Sequence, residues 1–226
     1  MDPFHITSKK VLTLVMVIDK DNQKILLGYK KRGFGAHLWN GFGGKVEPGE
    51  TVRQGALREL QEEAGITVDD HKIQKAGVLL FLFENDPMGL ECHVYKAYEY
   101  HGEIRECEEM RPQWFDIKDI PYEQMWEDDK IWLPELLKGQ DPFYGRIYIK
   151  RKPLEVEGEE EEGKVTVAAA APSSTSNVSL TMATVPFTTA QPKSGPFTMF
   201  DYRLDLNLSK IPKEIAFDGT IASYED

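Results

Sequence analysis

Residues Arg53 to Ala64 read as an amphipathic helix whose two faces make opposite demands. Ala56, Leu57, Leu60 and Ala64 recur at helical spacing and need a core to bury against. Glu59, Glu62 and Glu63 stand at i, i+3 and i+4 and crowd three carboxylates onto one side. Like charges at that spacing destabilise a helix by about 0.2–0.5 kcal/mol per pair, so a cation belongs there. Gly65 follows as the residue that stops the helix in a left-handed conformation.

The remaining elements point to an α+β domain. Val11 to Ile18 (VLTLVMVI) is nearly all apolar and β-branched, and Lys24 to Tyr29 follows the turn-like Asp19 to Asn22, which predicts a central, well-buried hairpin. Val78 to Phe83, His93 to Tyr98, Gln113 to Asp116 and Phe143 to Lys150 read as further strands. Asp128 to Leu137 reads as a second helix that ends at Gly139 despite Pro134, with Asp128 as its cap and Trp132 in plain core. After Lys152 six glutamates fall between Glu155 and Glu162, followed by an Ala, Ser, Thr and Val mixture without periodicity. The expected organisation is a folded domain over residues 8–152 and a disordered acidic insert over 153–195. A closing strand follows over 196–208, in which Phe197, Met199, Tyr202 and Leu204 alternate, and then a tail over 209–226.

Composition excludes several function classes. The formal net charge is −11 and the pI about 5.0, which argues against an electrostatic grip on a nucleic-acid polymer or an anionic membrane surface. More than half of that charge lies in the six insert glutamates. Two cysteines, Cys92 and Cys107, are too few for a disulfide framework and fit a reducing compartment. With no apolar leader and no membrane-length apolar run, a cytoplasmic protein is expected, with a nuclear or mitochondrial share left open. None of the five histidines stands in metal-ligand spacing.

The helix belongs to a longer pattern: Gly44, five residues, Glu50, seven residues, Arg58-Glu59-Leu60, then Glu62-Glu63 and Gly65-Ile66. Hard carboxylate oxygens select Mg²⁺, with Mn²⁺ as the substitute, and Mg²⁺ completes its octahedron with waters and phosphate oxygens. The implied substrate is a di- or triphosphate. Gly43 and Gly44 let the backbone approach metal and phosphates closely. Arg58 is expected to hold the glutamates in place. This stretch resembles the Nudix box, and the segments Lys30 to Glu50, Glu108 to Pro121 and Met125 to Leu137 resemble the Nudix hydrolases that act on oxidised purine nucleoside triphosphates.

That resemblance implies the Nudix fold, a mixed β-sheet between helices in an α-β-α arrangement. It also implies a Mg²⁺-dependent pyrophosphohydrolase that attacks the β-phosphorus of 8-oxo-dGTP or 2-hydroxy-dATP and releases a nucleoside monophosphate and pyrophosphate. The implied catalytic set is Glu59, Glu62, Glu63, Arg58 and Glu109, with metal ligands Gly43 (carbonyl), Glu59, Glu62, Glu63 and Glu109. The implied substrate contacts are Thr13, Lys30, Phe34, Asn40, Phe42, Gly43, Gly44, Lys45, Phe81, Trp126, Glu127, Asp128 and Asp129. Asn40 offers a donor and an acceptor to a purine edge, Trp126 offers a stacking face, and Asp128 with Asp129 should titrate as a pair sharing one proton. A monomer is expected. Two alternatives stand beside this reading: Nudix activity on another nucleoside diphosphate derivative such as ADP-ribose or an RNA cap, and an interaction protein whose acidic insert binds a partner.

Overall fold

The computed structural model describes residues 3–151 and 197–206. The strands are β1 (Ser8–Asp19), β2 (Lys24–Lys30), β3 (Trp39–Asn40), β4 (Ile66–Thr67), β5 (Gln74–Phe83), β6 (Met88–Ala97), β7 (His101–Gly102), β8 (Met110–Asp116), β9 (Phe143–Arg151) and β10 (Phe197–Leu206). Helix α1 (Val52–Ala64) lies between β3 and β4, and α2 (Asp129–Leu137) between β8 and β9. Eight strands form one mixed sheet in the order β10-β9-β5-β6-β1-β2-β3, with β8 paired to the long edge of β2, while β4 and β7 form a small separate ribbon. The expected insert and the tail after Leu206 lie outside the described residues. The closing strand appears as β10, antiparallel to β9 with a bulge between Met199 and Asp201.

The apolar run in β1 is explained by burial on both faces. Leu14, Met16 and Ile18 pack with Trp132, Leu133 and Leu136 of α2, whereas Val15 and Val17 pack with Val52, Ala56, Leu60 and Ala64 of α1. The two helices therefore cover opposite sides of the sheet.

The expected hairpin exists but is short. β1 and β2 pair only from Val17↔Leu26 to Asp19↔Lys24, and the rest of β1 pairs in parallel with β6 over Ser8 to Val17. The reason is a wedge: the segment after β3 takes the place of β2 beside β1, with bridges Val15↔Phe42 and Leu12↔Lys45. Two hydrogen bonds lock it, Thr13 N–H to the Gly44 carbonyl at 2.8 Å and Val15 N–H to the Phe42 carbonyl at 2.6 Å. This wedge carries Gly43 and Gly44 into the middle of the molecule.

Helix α1 starts on a capping box. The Thr51 hydroxyl accepts from the Gln54 N–H at 3.2 Å, and the Gln54 side chain accepts from the Thr51 N–H at 2.8 Å, so two otherwise orphaned donors are satisfied. Gly65 ends the helix at φ 75° with its N–H on the Gln61 carbonyl, as the sequence predicts. In α2, Pro134 leaves one helical hydrogen bond unmade, and burial of Trp132, Leu133 and Leu136 offsets that loss. Among the described residues no helix is long and apolar enough to cross a membrane.

Leu60 is fully buried beneath the glutamate face. Leu60→Ala should lower the unfolding free energy by about 2–5 kcal/mol at an unchanged denaturant slope, read by urea titration.

Candidate active site

Arg58 organises the glutamate wall. Its Nε and Nη2 form a two-pronged bond to the Glu50 carboxylate at 3.1 and 2.8 Å. Nη2 also reaches the Lys45 carbonyl at 3.0 Å, and Nη1 donates to Glu59 at 3.0 Å and to Glu62 at 3.2 Å. The guanidinium thus joins the wedge to three carboxylates, a fork geometry that an ammonium cannot reproduce. Its hydrogen bond holds the Glu50 carboxyl below the usual range.

Glu63 points the other way along the helix face and is 4% exposed. It accepts from the Gly43 N–H at 2.9 Å and from Lys30 Nζ at 3.3 Å, and the same ammonium reaches Glu109 at 2.5 Å. Burial pushes the Glu63 carboxyl up to about 7 and raises that of Glu59 as well, against the pull of neighbouring cations. Gly43 is sterically required by backbone, and Gly44 lies close against the end of the Glu59 side chain. A Cβ on Gly43 would stand 2.0 Å from the Thr13 carbonyl oxygen, and one on Gly44 would stand 2.4 Å from Glu59 Oε1.

On the other wall, Trp126 stacks on Phe34 with ring centroids 5.1 Å apart and planes 26° apart, while Phe34 itself is 63% exposed. Asp128 and Asp129 are buried side by side. Burial raises both carboxyls, and the charge of Asp128 adds to the rise at Asp129. Asp128 does not cap α2: its side chain makes no capping bond and instead accepts the indole N–H of Trp132 at 3.1 Å. Trp132 is buried as expected, with this polar task in addition. The Asp129 carboxylate accepts the Trp126 N–H at 3.0 Å.

Both walls open into one cavity of about 1350 Å³, bounded at one end by Arg58, Glu59, Glu62 and Glu63 and at the other by Asn40, Asp128 and Asp129. Of the residues expected to meet substrate or metal, all but two line it. Phe42 does not: it is fully buried among the residues under α1, because its bridge to Val15 turns it to that face. Glu127 does not line it either; its two neighbours, Trp126 and Asp128, do. Sequence reading missed Leu79, Phe83, Leu90 and Cys92 on the cavity wall. Leu79 and Phe83 were accessible from the two-residue period that places them on the same face as Phe81.

Among the described residues no three carboxylate, imidazole or thiolate groups already converge as a ligand cluster. The glutamates are drawn instead toward Arg58 and Lys30. The donor chemistry nevertheless suits a hard divalent cation: Glu59, Glu62 and Glu63 bring carboxylate oxygens to the cavity, and burial of Glu59 and Glu63 disfavours their charge unless a cation offsets it.

The NUDIX domain profile matches residues 9–136, more than half of the chain. The chain belongs to the Nudix family. Among Nudix relatives, the Danio rerio protein named oxidized purine nucleoside triphosphate hydrolase is 47% identical over 156 residues, covering 66% of this chain and 97% of that protein. The Mus musculus protein of the same name is 48% identical over 132 residues, covering 58% of this chain and 82% of that protein. A solved structure described as a mutator MutT protein of Bacillus halodurans shares the Nudix fold at a TM-score of 0.57 and 22% identity, covering 87% of this chain and 97% of that one.

The raised aspartates set a pH dependence. A carboxyl whose folded-state pKa lies above its unfolded value holds its proton longer in the folded protein, so stability declines as pH rises from about 4 through the folded-state value. Asp129→Asn should flatten that decline and unfold at a higher temperature than the wild type at alkaline pH, with the two curves meeting in acid, as measured by calorimetry across pH.

Proposed function

We propose that this chain is a Mg²⁺-dependent pyrophosphohydrolase that converts oxidised purine nucleoside triphosphates to the monophosphate and pyrophosphate. The observation that carries this reading is the single cavity with a braced glutamate wall at one end and a buried aspartate pair at the other. The names of the Danio rerio and Mus musculus relatives point to the same substrate class.

Glu59, Glu62 and Glu63, with the Gly43 carbonyl and Glu109, would hold Mg²⁺, and Mn²⁺ in its place. The bound cation supplies neutralisation of phosphate charge and a water acidic enough to attack at neutral pH. The chain itself does the rest. Arg58 gathers Glu59 and Glu62 on one guanidinium nitrogen and ties them to the glycine wedge through the Lys45 carbonyl. Lys30, between Glu63 and Glu109, is the cation that yields its carboxylates and turns to phosphate as the triphosphate enters. Burial alone raises the Glu63 carboxyl, and a bound divalent cation would be what keeps it ionised as a ligand.

Base recognition falls to the other wall. Phe34 and Trp126 supply flat apolar faces, Thr13 and Asn40 supply polar edges, and the aspartate pair supplies one acceptor and one donor. An oxidised purine, with an altered pattern of ring N–H and carbonyl groups, can satisfy these buried polar groups where the ordinary base leaves some unpaired.

The test is kcat/KM with Mg²⁺ for 8-oxo-dGTP, 2-hydroxy-dATP, dGTP, dATP and ADP-ribose, with products identified. A preference for the oxidised purines, yielding monophosphate and pyrophosphate, is expected. Comparable turnover of ADP-ribose would overturn the substrate assignment. Glu63→Gln should lower kcat/KM by about 10²–10³-fold while the protein stays folded by circular dichroism.

A further inference from the structure

Glu63 and Glu109 come from distant parts of the chain, yet both bond the Lys30 ammonium, at 3.3 and 2.5 Å. Glu63 is held by burial in α1 and by the Gly43 N–H. Glu109 is placed differently: its side chain is 39% exposed, and it lies in the irregular segment between β7 and β8. Once Lys30 turns to phosphate, Glu109 stays in reach of the glutamate wall only if its backbone is pinned.

One sulfur does the pinning. Cys107 Sγ accepts the N–H of Glu109 at 3.4 Å and the N–H of Met110 at 3.2 Å, and its S–H donates to the Glu63 carbonyl at 3.7 Å. Glu63 stands in the last turn of α1, where carbonyls lack a helical partner, so the thiol meets an open acceptor. The next carbonyl, on Ala64, takes the Arg105 N–H at 3.0 Å. The Cys107 N–H bonds the Met110 carbonyl at 2.9 Å and closes residues 107–110 into a turn, with sulfur in the role that Ser or Asp oxygen plays in such turns. Ion pairs flank the turn, Lys31 with Glu106 at 2.6 Å and Arg32 with Glu108 at 3.8 Å. Both are solvent-exposed pairs of the kind that contribute little to position.

We propose that Cys107 is a positioning residue for cation binding: its thiol joins the backbone of Glu63 to that of Glu109 and so sets the spacing of the two carboxylates. The idea rests on the reading of these glutamates as ligands of the divalent cation. Cys107 does not line the cavity, and its soft sulfur stays outside an all-oxygen ligand set. It acts through Glu109. A thiol has one hydrogen to give and lone pairs to receive, which is what a carbonyl on one side and two amides on the other require.

Serine keeps one donor and the acceptor lone pairs, whereas alanine removes both, so the two substitutions separate hydrogen bonding from the mere presence of a side chain. In the full chain without metal, amide exchange at Glu109 and Met110, followed by NMR, should quicken about tenfold in Cys107→Ala and return toward the wild-type rate in Cys107→Ser. With Mn²⁺ as the probe, read by electron paramagnetic resonance, Cys107→Ala should weaken cation binding by about threefold to tenfold, the size of a lost hydrogen bond, and Cys107→Ser should restore it. In a Glu109→Gln background Cys107→Ala should weaken it no further. An unchanged Mn²⁺ affinity in Cys107→Ala, a serine variant as weak as the alanine variant, or additive losses in the double variant would overturn the proposal. If Glu63→Gln and Glu109→Gln both leave Mn²⁺ affinity at the wild-type value, the ligand reading of the glutamates fails instead, while the exchange rates still decide whether Cys107 fixes Glu109.

Discussion

The catalytic wall depends on the Arg58 guanidinium. Three glutamates on one face of α1 repel one another, and the wedge beside β1 has little side-chain mass of its own around Gly43 and Gly44. Arg58 answers both needs, because its fork binds Glu50 with two prongs, reaches Glu59 and Glu62 with a third nitrogen, and holds the Lys45 carbonyl. The spacing of the motif follows: Glu50 lies just before the helix, Arg58 two turns into it, and the glycines at the depth where any Cβ would collide with Thr13 or Glu59.

A second constraint is the double burial of β1. One strand supplies core to α1 through Val15 and Val17 and to α2 through Leu14, Met16 and Ile18. A strand committed on both faces cannot also host a site, unless something parts it from a neighbour. The wedge does so by displacing β2, and Thr13, at the parting, bounds the cavity that both walls share. Stability and access thus meet along a single strand: Val15–Ile18 is core, Leu12 and Thr13 line the cavity, and Leu14 serves both.

The local parts of this architecture were legible in the sequence. The Glu59, Glu62 and Glu63 spacing, the Gly65 stop and the apolar face of α1 follow from helical period alone, and the Thr51 to Gln54 capping box was readable though it went unread. The long-range parts were not. Nothing near Lys24 to Tyr29 announces that β2 leaves β1 after three residue pairs, because the displacing segment lies farther along the chain. The same holds for Lys30, which resembles a solvated turn residue until the fold brings it between Glu63 and Glu109, 33 residues and more away. Asp128 looked like a cap because Asp before an apolar run often is one; in the fold it meets the Trp132 indole first. Phe42 misled for a simpler reason, since sheet bridging decides which face a residue takes, and that pairing is not local.

The central claim is that glutamate wall and aspartate wall serve one bound nucleotide. It is tested most directly by NMR of the full chain with an oxidised purine nucleoside monophosphate and with Mn²⁺ as a paramagnetic probe. The nucleotide should shift the backbone signals of Trp126 to Asp129 and of Asn40. Mn²⁺ should broaden those of Gly43, Gly44 and Glu59 to Glu63, and with both present the nucleotide's phosphate should broaden while its base signals stay sharper. Mn²⁺ broadening centred away from α1, or nucleotide shifts that leave the Trp126 to Asp129 segment untouched, would contradict the account.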